Sequence, residues 1–138
     1  MSYLNFDKTL LINLERSLSK EMIRTNRAGA YNSTTLIDCN TRKYHGLMVA
    51  PIDQSDRTYV LLSSLDETLI QHDQSFNLAL HRFEGVYEPR GHKYITDFEY
   101  TPTPTITYRV GGAVLRKELL WIHKRTQLMI RYTLVDAH

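Results

Sequence analysis

The sequence has a single cysteine, Cys39, and so cannot build an internal disulfide framework or a cysteine-rich zinc site. One thiol fits a reducing compartment, and a cytoplasmic location is expected. No apolar run approaches the roughly 20 residues that a membrane span requires. The start, Met1-Ser2-Tyr3-Leu4-Asn5, lacks the basic region and apolar stretch of a signal peptide. Charge of one sign is also scarce: 17 basic side chains meet 15 acidic ones, a formal net charge of +2. Nucleic-acid binders carry a larger, clustered excess, so neither a nucleic-acid nor a membrane partner is expected. No His-x-x-x-His or Cys-x-x-Cys spacing occurs among the six histidines and one cysteine, and no metal or other cofactor is expected. No glycine-rich phosphate loop, internal repeat or low-complexity linker is present. Four prolines and six glycines leave most of the chain free to form regular structure.

What is present suits one domain. At 138 residues and 42 % hydrophobic content, a chain buries about two-thirds of its unfolded surface, enough for one core. Leu10, Leu14, Leu18 and Met22 recur at four-residue intervals, which predicts a short helix within Asp7 to Ser19, capped by Asn5 or Asp7. Thr9-Leu10-Leu11-Ile12 reads equally well as a strand. Thr25 to Thr41 reads as a polar loop leading to a strand at Ser33 to Asp38. A second strand is predicted at Tyr44 to Ala50, ended by Pro51. Asp53-Gln54-Ser55-Asp56 is a polar turn. Thr58 to Leu62 and Glu67 to Ile70 are strand-like, and Ser75 to Arg82 returns after a turn at Gln71-His72-Asp73-Gln74. Gly85 to Gly91 reads as a loop, and Thr101-Pro102-Thr103-Pro104-Thr105 as an extended connector.

The last third alternates most clearly. Ile106, Tyr108 and Val110 lead into Gly111-Gly112, which suits a tight hairpin turn. Val114 to Ile122 returns, and after a polar turn Leu128, Ile130, Tyr132 and Leu134 form a further alternating row. The fold class predicted is mostly β, an antiparallel β-sandwich with a short amino-terminal helix.

Residues able to do chemistry each have a plain structural alternative. Glycoside hydrolysis uses two carboxyl groups roughly 5–9.5 Å apart. Asp66-Glu67 is the only adjacent acidic pair, and on a strand neighbours point to opposite faces and cannot flank one bond. A nucleophilic Cys39 lacks a marked partner base. Asn32-Ser33-Thr34 matches a glycosylation sequon and reads as a chance match. Asn40-Thr41-Arg42-Lys43-Tyr44-His45-Gly46 is the densest polar-aromatic run. Such a set can bind sugar, by ring stacking and forked hydrogen bonds, or can pin a loop.

The order of motifs adds more. Thr25-Asn26-Arg27-Ala28-Gly29-Ala30-Tyr31 is followed by Cys39 to Ala50, Leu61 to Thr68, Pro89-Arg90-Gly91-His92-Lys93-Tyr94-Ile95 and Pro102-Thr103-Pro104-Thr105. The series, covering about Glu21 to Val135, resembles the amino-terminal domain of bacterial and archaeal glycogen debranching enzymes of the amylo-α-1,6-glucosidase type. Asn-Thr-Arg-Lys-Tyr-His-Gly-Leu is its most specific element. Arg27 and Ala30 depart from it by standing where the family usually has glycine. The resemblance implies a β-sandwich preceding an (α/α) barrel that carries the catalytic acids and cleaves α-1,6 branch points. This chain has no length for that barrel. It is therefore expected to be a non-catalytic accessory domain, a part of a larger sandwich. Its expected partners are the barrel of the same polypeptide and glycogen, starch or maltooligosaccharide. The residues expected to contact substrate or the domain interface are Asn40, Arg42, Tyr44, His45, Asp66, Glu67, His92 and Tyr94. The alternatives are a purely structural module with no sugar contact, and a small enzyme using Asp66, Glu67 or His45. An exposed sheet edge would also permit self-association.

Overall fold

The computed structural model describes residues 4–52 and 57–138. In chain order its elements are β1 (Leu4–Asp7), α1 (Lys8–Leu11), α2 (Leu14–Leu18), β2 (Glu21–Thr25), β3 (Tyr31–Thr35), β4 (Gly46–Pro51) and β5 (Thr58–Leu62). Then come β6 (Thr68–Gln71), β7 (Gln74–Asn77), β8 (His81–Phe83), β9 (Val86–Glu88), a 3₁₀ turn (Gly91–Tyr94), β10 (Ile95–Tyr100), β11 (Pro104–Val110), β12 (Ala113–Trp121) and β13 (Leu128–Ala137). One sheet runs β1-β10-β11-β12-β13 and the other β2-β3-β4-β5, with β6-β7 and β8-β9 as separate hairpins. Every pairing is antiparallel. The mostly-β, sandwich-like expectation holds.

The two sheets share one core. Met22, Leu36, Ile37, Cys39 and Leu47 come from the four-stranded side, and Ile95, Phe98, Ile106, Tyr108, Val110 and Leu119 from the five-stranded side. The alternation predicted for β11 is real: Ile106, Tyr108 and Val110 are buried, and Thr107 and Arg109 less so. Gly111, at φ +57°, makes the turn into β12, a backbone region that L side chains rarely adopt.

The helical expectation holds in two pieces rather than one. Asp7 Oδ1 accepts from Thr9 N at 2.9 Å and starts α1, and Asn13 Oδ1 accepts from Arg16 N at 3.0 Å and starts α2. Leu10, Leu14 and Leu18 pack on the core as the stripe requires, but Met22 joins it from β2. The strand reading of Thr9 to Ile12 does not hold.

Other readings need correction. The strand placed at Ser33 to Asp38 is β3, ending at Thr35; Asp38 adopts φ +58° and Thr35 Oγ1 exchanges hydrogen bonds with Cys39 N and O, which closes a turn instead. β2, hidden in the run before the polar loop, pairs with β3 along its whole length. Ser75 to Arg82 is broken at residues 78–80, because Leu78 N bonds to Glu67 O and Ala79 O accepts from Gly91 N. The loop read at Gly85 to Gly91 contains β9, and the connector read at 101–105 is a short turn at 101–103, with Thr101 N bonded to Thr103 O, after the unpredicted β10, its Pro104 and Thr105 opening β11. The turn read at Asp53 to Asp56 lies outside the described residues. Among the described residues, no helix is long and apolar enough to cross a membrane.

Candidate functional site

The run from Asn40 to Gly46 leaves the core at Cys39 and re-enters it at β4. Asn40 Nδ2 donates to Ser63 O at 2.9 Å and to Ser63 Oγ at 3.2 Å, fastening the loop to the segment after β5. His45 is buried, and its Nδ1 accepts from Thr41 N at 3.0 Å. The proton of the neutral ring therefore sits on Nε2, 3.7 Å from Glu21 Oε1. Arg42 Nε meets the same Glu21 oxygen at 2.6 Å. Asn40 and His45 thus hold the loop from within, while Arg42 and Tyr44 stand outside, Tyr44 at 64 % exposure. Lys43 Nζ lies 5.5 Å from the Tyr44 ring centroid.

The Glu21–Arg42 pair forms a ridge between two open grooves. One, of about 770 Å³, has an apolar floor of Leu14, Leu18 and Tyr87 and a rim that includes Glu15, Thr41 and Arg82. The other, of about 440 Å³, is lined by Ile23, Tyr31, Ser33, Lys43, Tyr44 and His45. Its mixture of exposed ring, hydroxyl and cation is suited to a polyhydroxylated ligand. The pair itself is well solvated, Arg42 being 71 % exposed, and contributes at most about 1 kcal/mol to stability.

Asp66 and Glu67 precede β6 rather than lying on a strand, yet their side chains do part company. Asp66 Oδ1 lies 2.8 Å from His81 Nε2 on β8. Glu67 turns inward, where its Oε1 meets Lys117 Nζ at 2.8 Å and accepts from Tyr132 Oη at 2.5 Å. The other partner of Lys117 is Asp38 Oδ2, at 2.5 Å. The Lys117 side chain is wholly buried. Desolvation pulls its pKa down, but Asp38 and Glu67 outweigh it and hold the ammonium above the ordinary lysine value. Burial, then the bond to Glu67, raises the Tyr132 hydroxyl. Desolvation likewise pushes the Cys39 thiol up to about 11, which makes it a poor nucleophile at neutral pH.

Lys117, Asp38 and Tyr132 were not picked out by sequence reasoning. A signal for Lys117 existed: it shares a row of β12 with Leu115, Leu119 and Trp121, a lone charge on the inward face. Nothing local marks Asp38, because its partner is 79 residues away.

Tyr94 has ring partners of its own. The Tyr94 ring meets Phe76 edge-on at 6.0 Å, and Lys93 Nζ lies 5.0 Å from its centroid. His92 is buried with no hydrogen-bond partner for Nδ1. Desolvation, then Arg90 and Lys93, lowers its pKa below 6.5, so the folded ring stays neutral. The stability this gives is whole above pH 6.5 and is lost as pH falls toward the folded value, because the unfolded chain takes up the proton first. Urea midpoints measured from pH 7 to 5 should therefore fall, and fall less steeply in His92→Leu. Parallel profiles would count against this.

In the polar loop before β3, Asn26 Oδ1 accepts from Ala28 N and Ala30 N, and Arg27 N donates to His123 O. Gly29, at φ +81°, supplies the turn, and Arg27 and Ala30 fold without positive φ. Asn32 of the sequon is fully buried, and its Oδ1 accepts from Arg24 N.

The fold and site define a β-sandwich module whose adjacent acids are spent on a histidine and a buried lysine. The family described as "Glycogen debranching enzyme N terminal" matches residues 20–138, and the chain belongs to that family. No curated protein and no solved structure matches it.

Proposed function

We propose that the chain is a non-catalytic amino-terminal domain of a debranching glycoside hydrolase that packs on the catalytic barrel and contacts α-glucan. In this reading the full-length enzyme hydrolyses α-1,6-glucosidic branch points, and the groove beside Tyr44 receives a glucan chain. The observation that carries it is the exposed Tyr44 ring beside Arg42 and Lys43, over a groove lined by Tyr31 and Ser33. An aromatic face suits the apolar face of a pyranose, and the cations and hydroxyl suit its rim. Asn40 and His45 act as positioning residues for that loop.

Titration with maltooligosaccharides to millimolar concentration, followed by amide NMR, tests it. Shifts are expected in residues 31–33 and 41–45, and Tyr44→Ala should weaken binding at least about tenfold, about 1.4 kcal/mol. Shifts elsewhere only, or an unchanged affinity in the variant, would overturn the glucan contact.

A purely structural role is the second reading, and β13 favours it. Its row Leu128, Ile130, Tyr132 and Leu134 continues the inner face of the sheet, yet Tyr132 and Leu134 are 43 % and 60 % exposed. Met129 and Val135 are exposed in the other row. Such a face suits a packed neighbour, either the barrel or a second copy.

A further inference from the structure

The ion cluster extends one step past Lys117. Asp38 Oδ2 receives the ammonium, whereas Asp38 Oδ1 is buried and has no hydrogen-bond partner in the protein. Thr34 Oγ1, on a residue 1 % exposed, is likewise buried and unpartnered. Buried polar atoms are almost always hydrogen-bonded, and a buried carboxylate oxygen is among the most costly to leave alone. Both residues line one small, partly open cavity with Asn40, Ser63 and Ser64, and it leaves about 10 Å³ of room for the centre of a water-sized molecule. That is about the room that one water needs.

We propose that a single long-lived water molecule occupies this cavity, donating to Asp38 Oδ1 and hydrogen-bonded to Thr34 Oγ1. It joins β3, the turn at Asp38 and the segment after β5 into the Lys117 cluster. A metal ion fits less well. Lys117 already stands on the same carboxylate, and Ser63 O and Oγ already accept from Asn40 Nδ2. A hard cation such as calcium asks for roughly 6–8 oxygens. Among the described residues, no group of three or more His, Cys, Asp or Glu could hold a metal ion. A water needs only two to four polar partners and carries no charge into a site beside an ammonium.

Crystals of the chain grown in sodium and in rubidium salts test this. The expected result is a density peak within about 2.7–3.2 Å of both oxygens, without anomalous signal in rubidium. An empty cavity overturns the proposal, and an anomalous peak replaces the water with a cation. In solution, the Thr34 and Asp38 amides should show water cross-peaks of the sign given by a slowly exchanging molecule. Thr34→Val, which keeps the shape and removes the hydroxyl, should lose them, and Thr34→Ser should keep them. Cross-peaks unchanged in Thr34→Val would overturn the role assigned to Thr34. If that variant does not fold, the wild-type crystals decide.

Discussion

Lys117→Met should destabilise the fold by about 3–5 kcal/mol, the usual cost of removing one partner from a buried ionic cluster. The Lys117 side chain is wholly buried, and those of Asp38 and Glu67 are each only 16 % exposed. Without the ammonium, two carboxylates face each other in a low-dielectric interior beside Tyr108 and Tyr132. The loss is large against the 5–15 kcal/mol that holds an ordinary domain together. Adding Asp38→Asn and Glu67→Gln to the same variant should restore much of it, since no charge is then left unpaired. Urea unfolding of the single and triple variants measures both. A single variant near wild-type stability would refute the cluster as a structural element. The pH dependence has a definite sign: because the folded pKa lies above 10.5, the contribution of Lys117 is intact below that value and disappears only as pH rises through the folded pKa.

Gly91→Ala should cost about 3 kcal/mol, at the upper end for an overpacked site. A Cβ built there lies 2.1 Å from both the carbonyl carbon and oxygen of Leu78 and 2.6 Å from its Cα. These are backbone atoms and cannot rotate away. The approach is held by the 2.9 Å bond from Gly91 N to Ala79 O, and Leu78, Ala79 and Leu80 are all buried. The 3₁₀ turn would have to lift off the core. Gly85→Ala is the control. Gly85 has φ +80° but open space around the Cβ position, so it should lose only the roughly 1–2 kcal/mol of a left-handed L residue. Equal losses in the two variants, by thermal or urea unfolding, would show that close approach at Gly91 is not the cause.

The comparison of these sites shows what a sequence can disclose. Strand-favouring composition and alternation are local properties, so β5, an unbroken Thr-Tyr-Val-Leu-Leu run, was legible to the residue, and the alternating β11, β12 and β13 nearly so. β2 was not, because Met22 is its single buried residue and its four-residue spacing from Leu18 assigned it to a helical stripe. β10 was hidden for a related reason: its row is carried by Ile95 and Phe98, out of step across a bulge between Ile95 and Asp97. At the site, the Asn40 to His45 loop was visible as a composition, but its division into anchors and exposed groups was not. Glu21 gives no sign in sequence that it will meet both Arg42 and His45. Asp66 and Glu67 were recognised as unable to share one bond, but the buried lysine that claims Glu67 was not foreseen.

The Lys117 cluster also sets an order of events while the chain is being made. Asp38 and Glu67 leave the ribosome well ahead of Lys117, separated from it by 79 and 50 residues, and Tyr132 follows 15 residues later. At about 5–20 residues per second, Asp38 precedes its cation by roughly 4–16 s. By the end of that interval the strands β2 to β5 have emerged, and both carboxylates still wait for their cation. Interior packing of the two sheets is therefore tied to the arrival of β12, and folding dominated by such distant contacts is slow compared with that of helical domains. The first half of the chain thus carries two carboxylates whose buried counter-ion is supplied by the second half.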